Sequence, residues 1–184
     1  VFLGEGCVEE GVFYETINFC AQKKLRCLFI CENNLYSVYS PLSVRQPKNR
    51  SISSMVKNIG VKSLAANGND IEESHKILSK EIKDMRNDGL PRFIEFKTYR
   101  WREHCGPNFD NEIGYRTISE FNRWKKKDPI SNYESKLLNK KEINIETIKE
   151  MDNAIAREVN LAFNFAEKSK FPKQKDAFKN VFAE

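Results

Sequence analysis

The sequence has few of the residues and patterns on which several classes of protein function depend. Its two histidines, His75 and His104, and its five cysteines form no Cys-x-x-Cys pair and no zinc-finger spacing, which excludes a structural zinc site of the usual kind. No apolar run is long enough to span a bilayer, so we expect no membrane association. Cys27 and Cys31 lie four positions apart in an apolar run, which indicates reduced thiols packed in a core and a cytoplasmic location.

Charge of one sign is not concentrated anywhere along the chain. The 184 residues include 31 Lys and Arg against 26 Asp and Glu, and the basic residues are scattered apart from Lys125–Lys127 and Lys140–Lys141. Runs this short are typical of a solvated helix face, so we expect no nucleic-acid partner. A hydrophobic content of 40% and a charged content of 31% indicate a globular protein that buries a core.

What the first two thirds of the chain does have is a regular alternation of strand and helix patterns. The predicted strands are Val1–Leu3, Leu25–Cys31, Val61–Ala65 and Arg92–Thr98, and the predicted helices are Glu9–Gln22, Ser53–Ile59 and Ile71–Arg86. Asp70 is placed to cap the third of these helices and Gly89 to end it. The alternation predicts an α/β fold, a parallel sheet with flanking helices.

The last third of the chain has a different pattern. A polar loop over residues 99–114 is followed by predicted helices at Ser119–Lys127, Ser131–Leu138 and Ile145–Lys170. The last helix has one apolar stripe, formed by Ile148, Met151, Ile155, Val159, Ala162 and Phe163. We therefore expect one α/β domain over residues 1–170, with a helical extension from about residue 117, and an extended or weakly helical tail over residues 171–184.

Oxygen-bearing side chains follow the first two predicted strands. Glu5 stands between Gly4 and Gly6, a pattern that by itself is most often only a turn, and Asn34 and Tyr36 follow the next strand. Parallel neighbouring strands bring both loops to the carboxyl edge of the sheet, where such folds bind ligands. A carboxylate, an amide oxygen and a backbone carbonyl suit Mg²⁺ or Ca²⁺ holding a diphosphate, and the helix that follows Gly6 directs its N-terminal amides to the same place.

These residues are similar to the thiamine-diphosphate motif, in which Gly-Asp-Gly is followed by Asn-Asn; here 29 positions separate Glu5 from Asn34. Further matches in the same order are Glu10–Gly11, Phe13–Glu15, Asn18, Cys31–Asn34, Tyr36, Gly68–Asp70, Lys97–Arg100, His104, Tyr115–Thr117 and Asp128–Ile130. Over about residues 1–170 the chain resembles the alpha subunit of the decarboxylating dehydrogenase component of 2-oxo acid dehydrogenase complexes. That family includes the pyruvate, branched-chain and acetoin types.

The resemblance implies a thiamine-diphosphate-binding fold, of which this chain is the diphosphate-binding module, with thiamine diphosphate and Mg²⁺ (or Ca²⁺) as cofactors. It also implies oxidative decarboxylation of a 2-oxo acid, acyl transfer to lipoamide, a beta subunit in a heterotetramer and a lipoyl acyltransferase as partners. The roles it implies are metal binding by Glu5, Asn34 and the main-chain carbonyl of Tyr36, diphosphate binding by Glu5, Gly6, Cys7, Asn34, Arg100 and His104, and a catalytic role for His104.

Departures from the family pattern leave alternatives open. Glu5 stands where the family has Asp, and its extra methylene displaces the carboxylate in a site where Mg²⁺ tolerates little displacement. Val1 falls on the strand directly before the motif, so we expect a C-terminal fragment whose sheet is incomplete at the N-terminus, inactive alone and prone to self-association. The loop Arg102–Cys105 also departs from the family pattern, and it leaves open a specialised thiamine-diphosphate decarboxylase or carboligase without a lipoyl partner. Glu5 and the missing front leave open a degenerate module that serves only assembly.

Overall fold

The first half of the chain forms a four-stranded, all-parallel sheet in the computed structural model, which describes residues 1–181. The strands are β1 (Phe2–Gly4), β2 (Leu28–Asn33), β5 (Lys62–Asn67) and β6 (Arg92–Lys97), in the spatial order β1-β2-β6-β5. A short antiparallel hairpin, β3 (Tyr36–Ser37) and β4 (Ser40–Pro41), follows β2. The predicted α/β class with a parallel sheet is confirmed.

Helices cover both faces of the sheet, because neighbouring residues of each strand point to opposite sides. The helices α1 (Gly11–Lys23) and α3 (Ile52–Ile59) pack with Phe29 and Phe93 in one core cluster. Helix α4 (Ile71–Asp88) packs on the other side with Ile30 and Ile94. Strand β2 is thus buried on both faces, as its unbroken apolar run predicts.

The residues predicted to start and end α4 do so in the structure. The Asp70 carboxylate accepts a 2.9 Å hydrogen bond from the Glu73 amide at the start of α4, and Gly89 ends this helix in the left-handed conformation at φ 73°. The start of α1 differs from its prediction by two residues, because Glu5–Glu9 forms a separate 3₁₀ turn. Between β2 and α3 the chain forms the β3–β4 hairpin and the one-turn helix α2 (Leu42–Arg45).

Helices α5 (Ile118–Lys125), α6 (Pro129–Asn139) and α7 (Ile145–Lys168) follow the sheet, close to their predicted positions. The chain divides into two compact units, residues 1–133 and the residues from 134 onward, and the predicted domain limit at residue 170 stays a prediction. The tail has a short 3₁₀ turn at Gln174–Phe178, and residues 182–184 of the predicted tail lie outside the described residues. Within residues 1–181, every helix is too short or too polar to cross a membrane.

Candidate functional site

The carboxyl edge of the sheet brings together the two predicted motif loops. β1 and β2 pair in parallel with Gly4 opposite Glu32, so the chain leaves both strands on the same side. The 3₁₀ turn that begins at Glu5 follows β1 directly, and Asn34 follows β2. The parallel arrangement inferred from the sequence therefore places the acid and the amide at one edge.

Gly6 packs tightly against the β3–β4 hairpin. A Cβ atom added at Gly6 would lie 2.8 Å from the Ser37 hydroxyl oxygen and 3.1 Å from the Ser37 Cβ. Real Cβ atoms essentially never come within 3.0 Å of another heavy atom, so a larger residue fits here only if the Ser37 side chain shifts. The turn after β1 and the hairpin after β2 are consequently held against each other at Gly6.

The two asparagines after β2 have different roles. Asn33 is buried, and its side-chain amide donates a 2.8 Å hydrogen bond to the Glu95 carboxylate on β6. Asn34 is half-buried, and its side-chain oxygen accepts a 3.1 Å hydrogen bond from the Tyr36 amide. An amide oxygen carries a second lone pair, so Asn34 keeps the capacity to bind a metal ion while it shapes the loop.

Tyr36 contributes a structural side chain to this region. It is buried, and its hydroxyl donates a 2.8 Å hydrogen bond to the Glu120 carboxylate on α5. Burial first, and then that hydrogen bond, raise the pKa of Tyr36. The ring and hydroxyl are thus committed to packing, which is consistent with a ligand role for the main-chain carbonyl alone.

The partner of Glu5 is not evident from the sequence. Glu5 is 1% exposed, and its Oε1 accepts a 2.6 Å hydrogen bond from Nη2 of Arg45, the last residue of α2. Nη1 of Arg45 contacts Oε1 of Glu9 at 2.5 Å, and the Gln46 side chain donates to the same oxygen at 2.9 Å. Arg45 lies 40 positions from Glu5 in a segment without regular periodicity, so no local signal could have identified this pair.

Arg100 reaches the same hairpin from the loop after β6. Its Nη2 donates to the Val38 carbonyl at 2.6 Å and to the Tyr115 hydroxyl at 3.2 Å. Its Nε and Nη1 are buried, and neither has a hydrogen-bond partner among residues 1–181. Buried donors without a partner are costly, so this guanidinium is suited to an anionic ligand at this position.

His104 and Cys7 complete the set of predicted residues. Both are exposed, and within residues 1–181 no hydrogen bond or ion pair joins the His104 side chain to the other predicted site residues. The structure brings Glu5, Gly6, Asn34 and the Tyr36 backbone together at the sheet edge. His104 stays in the exposed loop, and its catalytic role stays a prediction.

A buried ion pair that the sequence did not reveal anchors the loop carrying Arg100. Nη2 of Arg116 contacts Oδ1 of Asp110 at 2.5 Å, and the Tyr115 hydroxyl donates to Oδ2 of Asp110 at 2.8 Å. Burial first, and then the bond to Asp110, raise the pKa of Tyr115 to about 12. Tyr115 in turn contacts Arg100, so the four side chains form one connected network.

The residues at this edge fit a diphosphate better than they fit a divalent cation. The unpartnered donors of Arg100 supply positive charge for an anion. Carboxylate and amide oxygens are the donors that Mg²⁺ prefers, but one oxygen of Glu5 is already held by Arg45. Among residues 1–181, no group of three or more His, Cys, Asp or Glu side chains is arranged to hold a metal ion.

Comparison with known proteins gives the family directly. The family profile described as dehydrogenase E1 component matches residues 1–175. The chain belongs to the dehydrogenase E1 component family. The resemblance inferred from the motifs is thereby confirmed.

Curated relatives in the dehydrogenase E1 component family are alpha subunits. The chain is 28% identical over 181 residues to the pyruvate dehydrogenase E1 component subunit alpha of Rickettsia bellii (strain RML369-C), covering 98% of this chain and 54% of the relative. It is 31% identical over 183 residues to the 2-oxoisovalerate dehydrogenase subunit alpha of Bacillus subtilis (strain 168), covering 100% and 54%. It is 30% identical over 184 residues to the mitochondrial 2-oxoisovalerate dehydrogenase subunit alpha of Mus musculus, covering 100% and 41%. The chain spans about half the length of these relatives, or less.

Among solved structures, a transketolase from Campylobacter jejuni subsp. jejuni NCTC 11168 overlaps part of the chain. The overlap covers 52% of this chain and 14% of the transketolase, with 26% sequence identity and a TM-score of 0.45. A superposition this partial supports no conclusion about the site.

Proposed function

We propose that this chain is part of the alpha subunit of a thiamine-diphosphate-dependent dehydrogenase that acts on a 2-oxo acid, and that it holds the cofactor's diphosphate. The observation that carries the proposal is the buried, unpartnered Nε and Nη1 of Arg100, next to the hairpin against which Gly6 packs. Family membership supports the same function.

The roles proposed for the chain's own residues are those that the family resemblance implies. The Gly6 and Cys7 backbone would lie against the diphosphate, and Arg100 would donate to its oxygens and neutralise its charge. Glu5, Asn34 and the Tyr36 carbonyl would be the oxygen ligands for Mg²⁺ or Ca²⁺, and Arg45 already occupies one oxygen of Glu5. His104 lies in the loop that follows Arg100, and we assign it to the active-site channel.

Thiamine diphosphate, when bound, supplies a nucleophilic ring carbon and an electron sink for the decarboxylation of a 2-oxo acid. The chain contributes positioning, charge neutralisation and exclusion of water from the diphosphate. The proposed partners are a beta subunit in a heterotetramer, and a lipoyl acyltransferase whose lipoamide disulfide accepts the acyl group. The reduced cysteines are consistent with a cytoplasmic setting.

Isothermal titration of the chain with thiamine diphosphate and Mg²⁺ tests this function. We expect metal-dependent binding by the wild-type chain and at least about tenfold weaker binding by Gly6→Ala, equivalent to about 1.4 kcal/mol, because the new Cβ displaces the Ser37 hydroxyl. The matched control is Gly11→Ala, since a Cβ at Gly11 has no atom within 4 Å.

Circular dichroism checks that both glycine variants fold. The absence of any binding heat with the wild-type chain would refute the proposed function. Equal affinity in wild type and Gly6→Ala would refute the assigned position of the diphosphate at Gly6.

A further inference from the structure

Arg45 is clamped at the centre of the candidate site by three acceptors. Its Nη2 lies 2.6 Å from Glu5, its Nη1 lies 2.5 Å from Glu9, and its Nε donates to the Ser40 carbonyl at 3.1 Å. The Arg45 side chain is only 11% exposed, and Glu5 is 1% exposed. The planar guanidinium therefore holds two carboxylates and the hairpin backbone in one geometry, with charge-assisted bonds that are stronger than neutral ones.

The clamp leaves Arg45 little freedom to withdraw from Glu5. Glu9 is itself fixed by the Gln46 amide at 2.9 Å, so it directs Nη1 and keeps Nη2 on Glu5. A Cβ at Gly6 would lie 3.5 Å from Nη1 of Arg45, which shows how closely the guanidinium lies to the turn. The Arg45 guanidinium thus occupies the carboxylate that the motif assigns to a metal ion.

A divalent ion and a guanidinium repel each other strongly when they share one carboxylate. Two like unit charges about 4 Å apart, at an effective dielectric constant of about 20, repel by an amount equivalent to more than about a hundredfold in affinity. Mg²⁺ also requires near-ideal octahedral geometry and cannot adapt to a displaced ligand. Metal binding at Glu5 therefore requires Arg45 to leave or to share the carboxylate.

We propose that Arg45 competes with the divalent cation for Glu5 and so sets the metal dependence of the site. The inference rests on the proposed function, because that function supplies the metal. Arg45 is a positioning residue that acts through Glu5.

Mn²⁺ binding, measured by electron paramagnetic resonance on the chain without thiamine diphosphate, tests the competition. We expect Arg45→Gln to bind Mn²⁺ at least about tenfold more tightly than wild type, since relaxation of the site reduces the full Coulomb effect. The exposed Arg86→Gln on α4 changes the net charge by the same amount and should bind as wild type does.

A double variant separates competition at one oxygen from a change in local charge. Glu9→Gln/Arg45→Gln removes one negative and one positive group, so the net charge of the site equals that of the wild type. We expect this variant also to bind Mn²⁺ more tightly than wild type. An affinity equal to wild type in the double variant would overturn the competition, even if Arg45→Gln alone binds more tightly.

If circular dichroism shows that neither Arg45 variant folds, chemical labelling of the wild-type chain still tests the proposal. Phenylglyoxal labelling followed by mass spectrometry should modify Arg45 faster at saturating Mn²⁺ than without metal, because the ion displaces the guanidinium. Unchanged labelling of Arg45, or no Mn²⁺ binding by the wild-type chain, would overturn the inference. None of these outcomes changes the test of the proposed function, which measures binding of thiamine diphosphate.

Discussion

Arg116 anchors the loop that carries Arg100, and its replacement by methionine should destabilise the protein strongly. Its Nη2 bonds Asp110 at 2.5 Å and the Trp101 carbonyl at 3.2 Å, and its Nη1 donates to the Arg100 carbonyl. The Arg116 and Asp110 side chains are 0% and 1% exposed. Arg116→Met keeps most of the side-chain volume but removes all three bonds and leaves the Asp110 carboxylate buried without its cation.

The expected loss is about 3–5 kcal/mol in the free energy of unfolding, the usual cost of removing one partner from a buried ion pair. That is a large share of the roughly 5–15 kcal/mol by which typical domains are stable. The double variant Asp110→Asn/Arg116→Met should lose less than the single variant, because it leaves no unpaired charge. The exposed Arg123→Met on α5 should change stability by no more than about 0.5 kcal/mol.

Urea denaturation followed by circular dichroism measures these free energies, and limited proteolysis reports whether the loop over residues 99–114 opens first. We also expect Arg116→Met to weaken binding of thiamine diphosphate, because the Arg100 backbone loses its anchor. A loss below about 1 kcal/mol in Arg116→Met would refute the reasoning. So would a double variant as unstable as the single one, since the unpaired carboxylate would then not be the cause.

Two further predictions concern groups whose pKa is raised. Tyr115 is half-buried and bonded to Asp110, and its pKa is about 12 instead of 10.0. The protonated hydroxyl therefore stabilises the folded protein fully below about pH 10, and this contribution to the free energy of unfolding is lost as the pH rises towards 12. Urea titrations over this range should therefore show a steeper loss of stability in wild type than in Tyr115→Phe, and equal slopes would contradict this. Burial raises the pKa of Cys31, so iodoacetamide at about pH 8 should label the exposed Cys7 and Cys105 long before Cys31, as followed by mass spectrometry. Similar labelling rates for the three thiols would show that Cys31 is not buried.

The sequence by itself determined the secondary structure and the sheet edge at which Glu5 and Asn34 lie, because both depend on local patterns. The unbroken apolar run at β2, the cap at Asp70 and the end of α4 at Gly89 each act within a few residues of chain. The spacing of Glu5 and Asn34 predicts their shared edge, because parallel strands end on the same side. The family followed from the same motifs.

Only the tertiary structure decided what the site side chains contact. Arg45 meets Glu5 across 40 positions of chain, and the Tyr36 hydroxyl meets Glu120 across 84. Such pairs form when separate elements pack together, and neither partner shows a periodic or capping signal that points to the other. The sequence therefore identified Glu5 as an oxygen ligand at the sheet edge. The packing of α2 against the turn after β1 is what brings the Arg45 guanidinium to that carboxylate.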